Sequence, residues 1–343
     1  MYDKRDKVKE PELNIEGTFA AAMPSVAPRE ASLFEPMRDR YGWRLALVFG
    51  NHAQGGRCPY FPRSCFHCDI GAGEGTAFDH TASRQRLDWF RDHYRDTLDL
   101  INHLVLYNSG SILNPREMPP ELLDEILSFA RSLAALRIVS VDSREAYIRP
   151  ATLMRMVAIL GPGIMLCPIL GMETADDRLR DDVLQKAMPR AAIDRVYRDL
   201  KALDLGLEPG RIGLAVNVVI ASPGTSPDTA AEDAVRTARY ALDLGSHYGI
   251  KVDLNLHPYY RGDRGGARFP DHPRCPLATT VRAVSEIAAL VRSMAADTSI
   301  FIGWQDEGHD QDRPQRDGDL ARSRAAFERF NRTNDPDTLY GLW

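Results

Sequence analysis

The chain has 343 residues but only five cysteines, no excess of basic residues and no long apolar run. Five cysteines in a chain of this length do not make a disulfide framework. Lys and Arg number 43 against 48 Asp and Glu, a formal net charge of −5. That leaves no general basic field of the kind that holds nucleic acid non-specifically. No stretch approaches the ~18 apolar residues that span a bilayer. The opening MYDKRDKVKEPELNIEG is charged where a signal peptide would be apolar. The expected setting is therefore a reducing cytoplasm without membrane attachment. The apolar fraction of 44% and charged fraction of 27% are those of an ordinary globular enzyme.

What the chain does have is rhythm. Apolar, mostly β-branched runs predict strands over 44–49, 104–108, 137–141, 164–171, 212–220, 251–256 and 299–303. Helical spacing predicts helices over 83–100, 120–133, 150–160, 190–205, 226–245 and 279–295, with a last helix over 319–331 outside the alternation. Strand–helix repetition implies parallel strands joined by right-handed crossovers. Six or seven units suit an α/β fold of the partial or full (β/α) barrel type better than an open sheet. Residues 1–42 read as an N-terminal extension, 43–305 as the barrel and 306–343 as a C-terminal extension with one helix. In such barrels functional groups gather where strands end.

Three of the five cysteines crowd behind the first predicted strand, in Arg57-Cys-Pro-Tyr-Phe-Pro-Arg-Ser-Cys-Phe-His-Cys-Asp69. The spacing of Cys58, Cys65 and Cys68 is C-x6-C-x2-C. Three thiolates can hold three irons of a [4Fe–4S] cluster and leave the fourth open to an incoming molecule. The alternative is a structural zinc site completed by His67 or His52. Zinc ribbons usually carry two C-x2-C pairs, and only one is present here.

With this loop the chain resembles the radical S-adenosylmethionine (SAM) superfamily, whose commonest motif is C-x3-C-x2-C with an aromatic before the third cysteine. Here Phe66 stands one position early, His67 takes the aromatic place and the first gap is longer. Longer gaps occur in the branch with the elongator catalytic subunit and the archaeosine-synthase radical SAM subunit. The stretches from Tyr107 to Glu117, from Val141 to Glu145 and from Gly171 to Thr174 look like that branch. The resemblance implies a [4Fe–4S] cluster on Cys58, Cys65 and Cys68, SAM on its open iron, and reductive release of a 5′-deoxyadenosyl radical that abstracts hydrogen from a substrate. It also implies a reducing partner such as flavodoxin or ferredoxin.

The remaining candidates follow strand ends. Asn108, Ser109 and Ser111 stand where the resembled family contacts the SAM amino group. Asp142 or Glu145 could meet the SAM ribose or the substrate, Arg144 could neutralise a carboxylate, and Glu173 could accept hydroxyl hydrogen bonds. Asn217 is a polar residue between Val216 and Val218, and Lys186 reads either as a site lysine or as a solvated helix lysine. His257 and Tyr259 end the sixth predicted strand and suit a polar substrate. Residues 261–276, rich in glycine and arginine, could form a lid. Cys275 at its end could donate a hydrogen atom, or be inert. Asp306 and Glu307 follow the last strand as further substrate candidates. The expected substrate is a small polar metabolite such as an amino sugar, nucleoside or amino-acid derivative. A tRNA base is the alternative, with Arg261, Arg264 and Arg268 on phosphates, and a zinc-stapled binding protein is the reading from another class.

Overall fold

The computed structural model describes residues 36–49, 58–61, 63–68, 80–303 and 317–342. Strands β1 (Met37–Asp39), β2 (Gly42–Val48), β3 (Ile101–Tyr107), β4 (Ile138–Ser143), β5 (Met165–Glu173), β6 (Leu214–Ile220), β7 (Val252–Pro258) and β8 (Ile300–Ile302) form one sheet in chain order. All neighbours from β2 onward are parallel, and β1 pairs antiparallel with β2. Helices α1 (His80–His93), α2 (Pro120–Arg131), α3 (Pro150–Leu160), α4 (Arg190–Asp204), α5 (Ala230–Tyr248), α6 (Asp263–Arg268), α7 (Leu277–Ser293) and α8 (Asp317–Thr333) complete the described elements of length. No helix among the described residues is long and apolar enough to cross a membrane.

The alternation of side chains along each strand divides two environments. Leu45, Leu47, Leu104, Leu106, Val139, Val141, Leu214, Val216, Leu254 and Leu256 pack outward into the large core under the helices. The opposite faces of β3 to β6 give Val105, Ile138, Cys167, Ile169 and Ala215, a small inner cluster. Around it the inner face is polar. Arg44, His103, Ser140, Asp253 and Asn255 line a water-sized cavity of about 20 Å³ at the N-terminal ends of the strands.

Residues from both ends of the sheet line that same cavity, so the sheet curls into a nearly closed barrel. No ladder joins β1 to β8. The seam is held by side chains instead. Tyr41 donates its hydroxyl to Asp253 at 2.6 Å, Arg40 donates to the Thr298 carbonyl at 2.8 Å, and the Arg44 guanidinium lies 4.0 Å from the centre of the Phe301 ring. The free edge of β8 is capped from α8 and the residue after it. Asn331 accepts from Ile302 N at 2.7 Å and donates to Ile302 O at 3.1 Å, and Asn334 does the same for Ile300 at 2.9 and 2.6 Å. Two asparagine amides thus replace a missing ninth strand, satisfying backbone groups that an open edge would leave unpaired.

Three elements differ from the sequence expectation. The edge strand β1 and the six-residue α6 were not predicted, being too short for a periodic pattern. The helix expected over 83–100 stops at His93. There the Tyr94 carbonyl takes hydrogen bonds from Thr97 N, Thr97 Oγ1 and Leu98 N, a local turn that competes with helix.

Replacing Asn331 with Leu leaves two buried backbone groups of β8 without partners. An unmade buried hydrogen bond costs about 1–3 kcal/mol, so urea unfolding of N331L should give a loss of about 3 kcal/mol against the parent.

Candidate functional site

The C-terminal strand ends bring most of the predicted residues to one mouth. The cysteine loop, following β2, turns on itself: Phe61 N donates to Cys58 O at 2.9 Å, Ser64 N to Tyr60 O at 2.8 Å and Cys68 N to Cys65 O at 3.0 Å. It is then tied to the loop after β5, where Cys65 N donates to Gln185 O at 3.2 Å and Phe66 N to Leu184 O at 3.0 Å. Cys58, Cys65 and Cys68 are not disulfide-bonded, and all are half-buried. His52 lies outside the described residues, as do Asp306 and Glu307.

Arg144, one residue beyond β4, holds the loop from the barrel side. It donates to Cys65 Sγ at 3.4 Å, to Glu145 at 3.3 Å and to the Lys186 carbonyl, and stacks 3.9 Å from the Tyr60 ring centre. Its own N–H is fixed by Ser111 Oγ at 3.1 Å. Burial pushes the Cys58 thiol up, helped by the Glu117 carboxylate.

Lys186 and Glu173 form the charged centre. Lys186 Nζ lies 2.8 Å from Glu173 Oε1, both side chains are buried, and His67 Nε2 stands 3.8 Å from the same oxygen. Burial alone would raise the Glu173 carboxyl, but Lys186, with His67 beside it, overrides this and brings it to about 2. Desolvation likewise works against charge on Lys186, and Glu173 together with Cys65 raises it above its ordinary value. The geometry has a backbone cause. A bulge between Gly171 and Glu173 shifts the β5–β6 register, and Glu173 adopts a left-handed φ of 67°. Bulges beside sites re-aim side chains in this way. Gly171 is required, since a Cβ there would fall 2.8 Å from Glu173 Oε1 and 3.3 Å from Lys186 Nζ.

The loop bearing Lys186 is built on Arg180, which is fully buried. Its guanidinium donates to Met188 O at 2.7 Å and Thr174 O at 3.2 Å and pairs with Asp177 and Asp181. Lys186 N returns a hydrogen bond to Arg180 O at 3.0 Å.

The segment after β3 folds around a carboxylate that sequence reasoning did not single out. Glu117 accepts from Asn114 Nδ2 at 2.7 Å and Ser111 N at 2.9 Å. Asn108 is buried and accepts from Ser109 N at 3.0 Å, while Ser109 Oγ is buried with no hydrogen-bond partner among the described residues. Asp142, on the inner face of β4, is raised to about 7 by burial and then by Glu173, against Lys186 and His257. Glu117 is raised to about 7 by burial, with its two hydrogen bonds opposing.

Other candidates stand apart from this centre. Asn217 accepts from Asn255 Nδ2 at 3.0 Å across β6 and β7, a satisfied inner pair. His257 packs against Gly303, where a Cβ would fall 2.7 Å from Nδ1. Tyr259 meets α6 and the His272 ring, 5.3 Å away edge-on. Cys275 is buried at the start of α7 with Sγ 3.2 Å from Thr280 Oγ1. Arg264 and Arg268 lie over aromatic rings of the cysteine loop, and Arg261 donates to Pro270 O at 2.8 Å.

Three half-buried thiols on one loop, with Arg144 and Lys186 behind them, match the donor chemistry of a [4Fe–4S] cluster. There each thiolate takes its own iron, so the sulfurs stand apart. No three His, Cys, Asp or Glu side chains among the described residues are grouped to grip a single metal ion.

No family model matches the chain, and no curated protein matches it. Among solved structures it is similar to a queuine lyase from Clostridium spiroforme bound to SAM and queuine, at 15% identity and TM-score 0.45, over 79% of this chain and 98% of that one. It is also similar to the radical SAM methyltransferase TsrM from Kitasatospora setae with cobalamin and a [4Fe–4S] cluster bound, at 14% identity and TM-score 0.37. That match covers 63% of this chain and spans 34% of TsrM.

The two kinds of carboxylate give opposite pH signatures. The lowered Glu173 stabilises the fold above its unfolded value near 4.5, and that contribution is lost as pH falls toward about 2. Lys186→Met removes the cation, and a broken buried pair costs about 3–5 kcal/mol. Urea unfolding should show a deficit of about 3 kcal/mol at pH 7 that narrows below pH ~4. Asp142, raised to about 7, keeps a proton that the unfolded chain has already released, so its contribution to stability falls as pH rises from about 4 to 7. Asp142→Asn should therefore equal the parent near pH 4 and exceed it by about 4 kcal/mol at pH 8 in the same measurement.

Proposed function

We propose that this protein is a radical SAM enzyme acting on a small polar metabolite. The observation that carries the reading is the seating of Cys58, Cys65 and Cys68 on one loop at the barrel mouth, with Arg144 bonded to Cys65 and Lys186 behind it. Those three cysteines would hold a [4Fe–4S] cluster. With SAM bound, such a cluster supplies a 5′-deoxyadenosyl radical that takes hydrogen from the substrate.

The chain's own residues provide the surroundings. Arg144 and Lys186 place positive charge beside the thiolates, which favours binding of the anionic cluster. Ser109 Oγ, buried without a partner among the described residues, and the Asn108–Ser111 turn offer polar groups to the SAM amino acid portion. Glu173 stays ionised and oriented by Lys186, so it can accept hydrogen bonds from hydroxyl or amino groups. Asp142, able to hold a proton near neutrality, can donate one hydrogen bond and accept another. Together these groups favour a ligand rich in hydroxyl and amino groups over an apolar one.

Anaerobic reconstitution should give a brown protein with about four irons per chain that forms 5′-deoxyadenosine from SAM and a reductant. Cys58→Ala, Cys65→Ala and Cys68→Ala should each lose the colour and the product. Full iron content and SAM cleavage in any of the three would refute the reading. A colourless protein holding stoichiometric zinc would favour the zinc-stapled class instead.

A further inference from the structure

Every Tyr and Phe between Cys58 and Cys68 is covered by a guanidinium. Arg144 takes Tyr60 from the barrel side. Arg264 lies 4.2 Å from the Phe61 ring centre and 4.7 Å from that of Phe66, and Arg268 lies 5.1 Å from Phe66. Arg264 and Arg268 are four residues apart on α6, so they share a face of the helix. Gly265 between them is buried, and a Cβ there would fall 2.4 Å from the Tyr259 hydroxyl and 3.9 Å from His67 O. The helix thus lies directly on the cysteine loop with no side chain as spacer.

The segment bearing α6 is anchored behind. His272 Nε2 bonds Ala221 O at 2.9 Å, and the His272 ring meets Tyr259. Cys275 is fixed at the start of α7 through Thr280. The stack is a planar cation on an aromatic face, which lysine reproduces poorly. It also keeps two half-buried phenyl rings from facing water.

We propose that Arg264 and Arg268 are positioning residues for the thiols: through Phe61 and Phe66 they press the cysteine loop onto the barrel mouth and set how readily solvent and dioxygen reach Cys65 and Cys68. The inference rests on the function proposed above for what the thiols hold, but its test does not.

The test uses the reduced, metal-free full chain under anaerobic conditions. Each thiol's rate of reaction with Ellman's reagent is followed by peptide mass spectrometry. In Phe66→Leu and in the double variant Arg264→Gln/Arg268→Gln, Cys65 and Cys68 should react at least about five-fold faster. Cys167, buried in the barrel interior, should keep its rate. Phe66→Trp retains a ring face and should keep the parent rate at Cys65. Unchanged rates at Cys65 and Cys68 in the double variant would overturn the proposal. Equal acceleration at Cys167 would also do so, because it reports general loosening. In reconstituted protein the double variant should lose its iron in air faster than the parent, by a similar factor. Labelling that shifts as expected while the cysteine-to-alanine variants retain iron would refute the cluster and leave the clamp standing, and the converse would remove the clamp alone.

Discussion

A buried lysine keeps its charge only beside a carboxylate, and Lys186 has Glu173. That pair governs the mouth of the barrel. To make it, β5 must bulge, Gly171 must lack a side chain, Glu173 must accept a left-handed backbone, and Arg180 must brace the loop that returns Lys186 to the sheet. The same returning loop offers Leu184, Gln185 and Lys186 carbonyls to Phe66, Cys65 and Arg144. The cysteine loop is therefore hung on the segment that the ion pair fixes. Loss of the pair removes more than a charge; it removes the shelf on which the thiols rest.

The two ends of the barrel handle polar groups differently. At the N-terminal ends they are consumed by one another. Asp39 and His103 lie 2.6 Å apart, His103 reaches Ser140 at 2.8 Å, and Asp253 takes both Tyr41 and Ser299 N. The Asp39–His103–Ser140 chain has the connectivity of an acyl-transfer triad, but only a water-sized cavity adjoins it. It serves instead to tie β1, β3 and β4 together on the inner face. At the C-terminal ends three carboxylates are treated in three ways. Glu173 takes the cation, Glu117 takes two hydrogen bonds, and Asp142 is left to hold a proton. On the function proposed above, that imbalance fits the mouth as the end that meets a ligand, since natural cores rarely keep charge they do not use.

Much of this was legible in the sequence, for physical reasons. Seven strands and most helices follow from periodicity, because residues buried against the outer helices must be apolar at fixed spacing. The cysteine loop, Arg144 and Glu173 were legible as candidates because each stands at or just after the end of a strand. Lys186 and Glu117 were harder to read, since their roles depend on loops returning across the sheet, and no local pattern records that a lysine thirteen residues from a glutamate meets it. The capping of β8 was hidden for the same reason. Asn331 and Asn334 read as ordinary helix-end residues until the unpaired edge is seen beside them.

The long first gap of the cysteine motif gains a physical meaning from these contacts. A C-x6-C spacing costs more loop entropy than a shorter one, though only by a fraction of a kcal/mol. The added length carries Tyr60 and Phe61, and each ring is met by an arginine from a different part of the chain, one after β4 and one on α6. A half-buried loop with few hydrophobic anchors would otherwise fray, because its backbone contributes only a handful of bonds to the barrel. Two guanidinium–ring contacts on the longer arm, and a third pair on Phe66, offset the entropy of ordering it. The extra residues therefore work as handles: they let separate elements grip the loop from the barrel side and from α6, so that the position of the thiols depends on the barrel and on α6 at once.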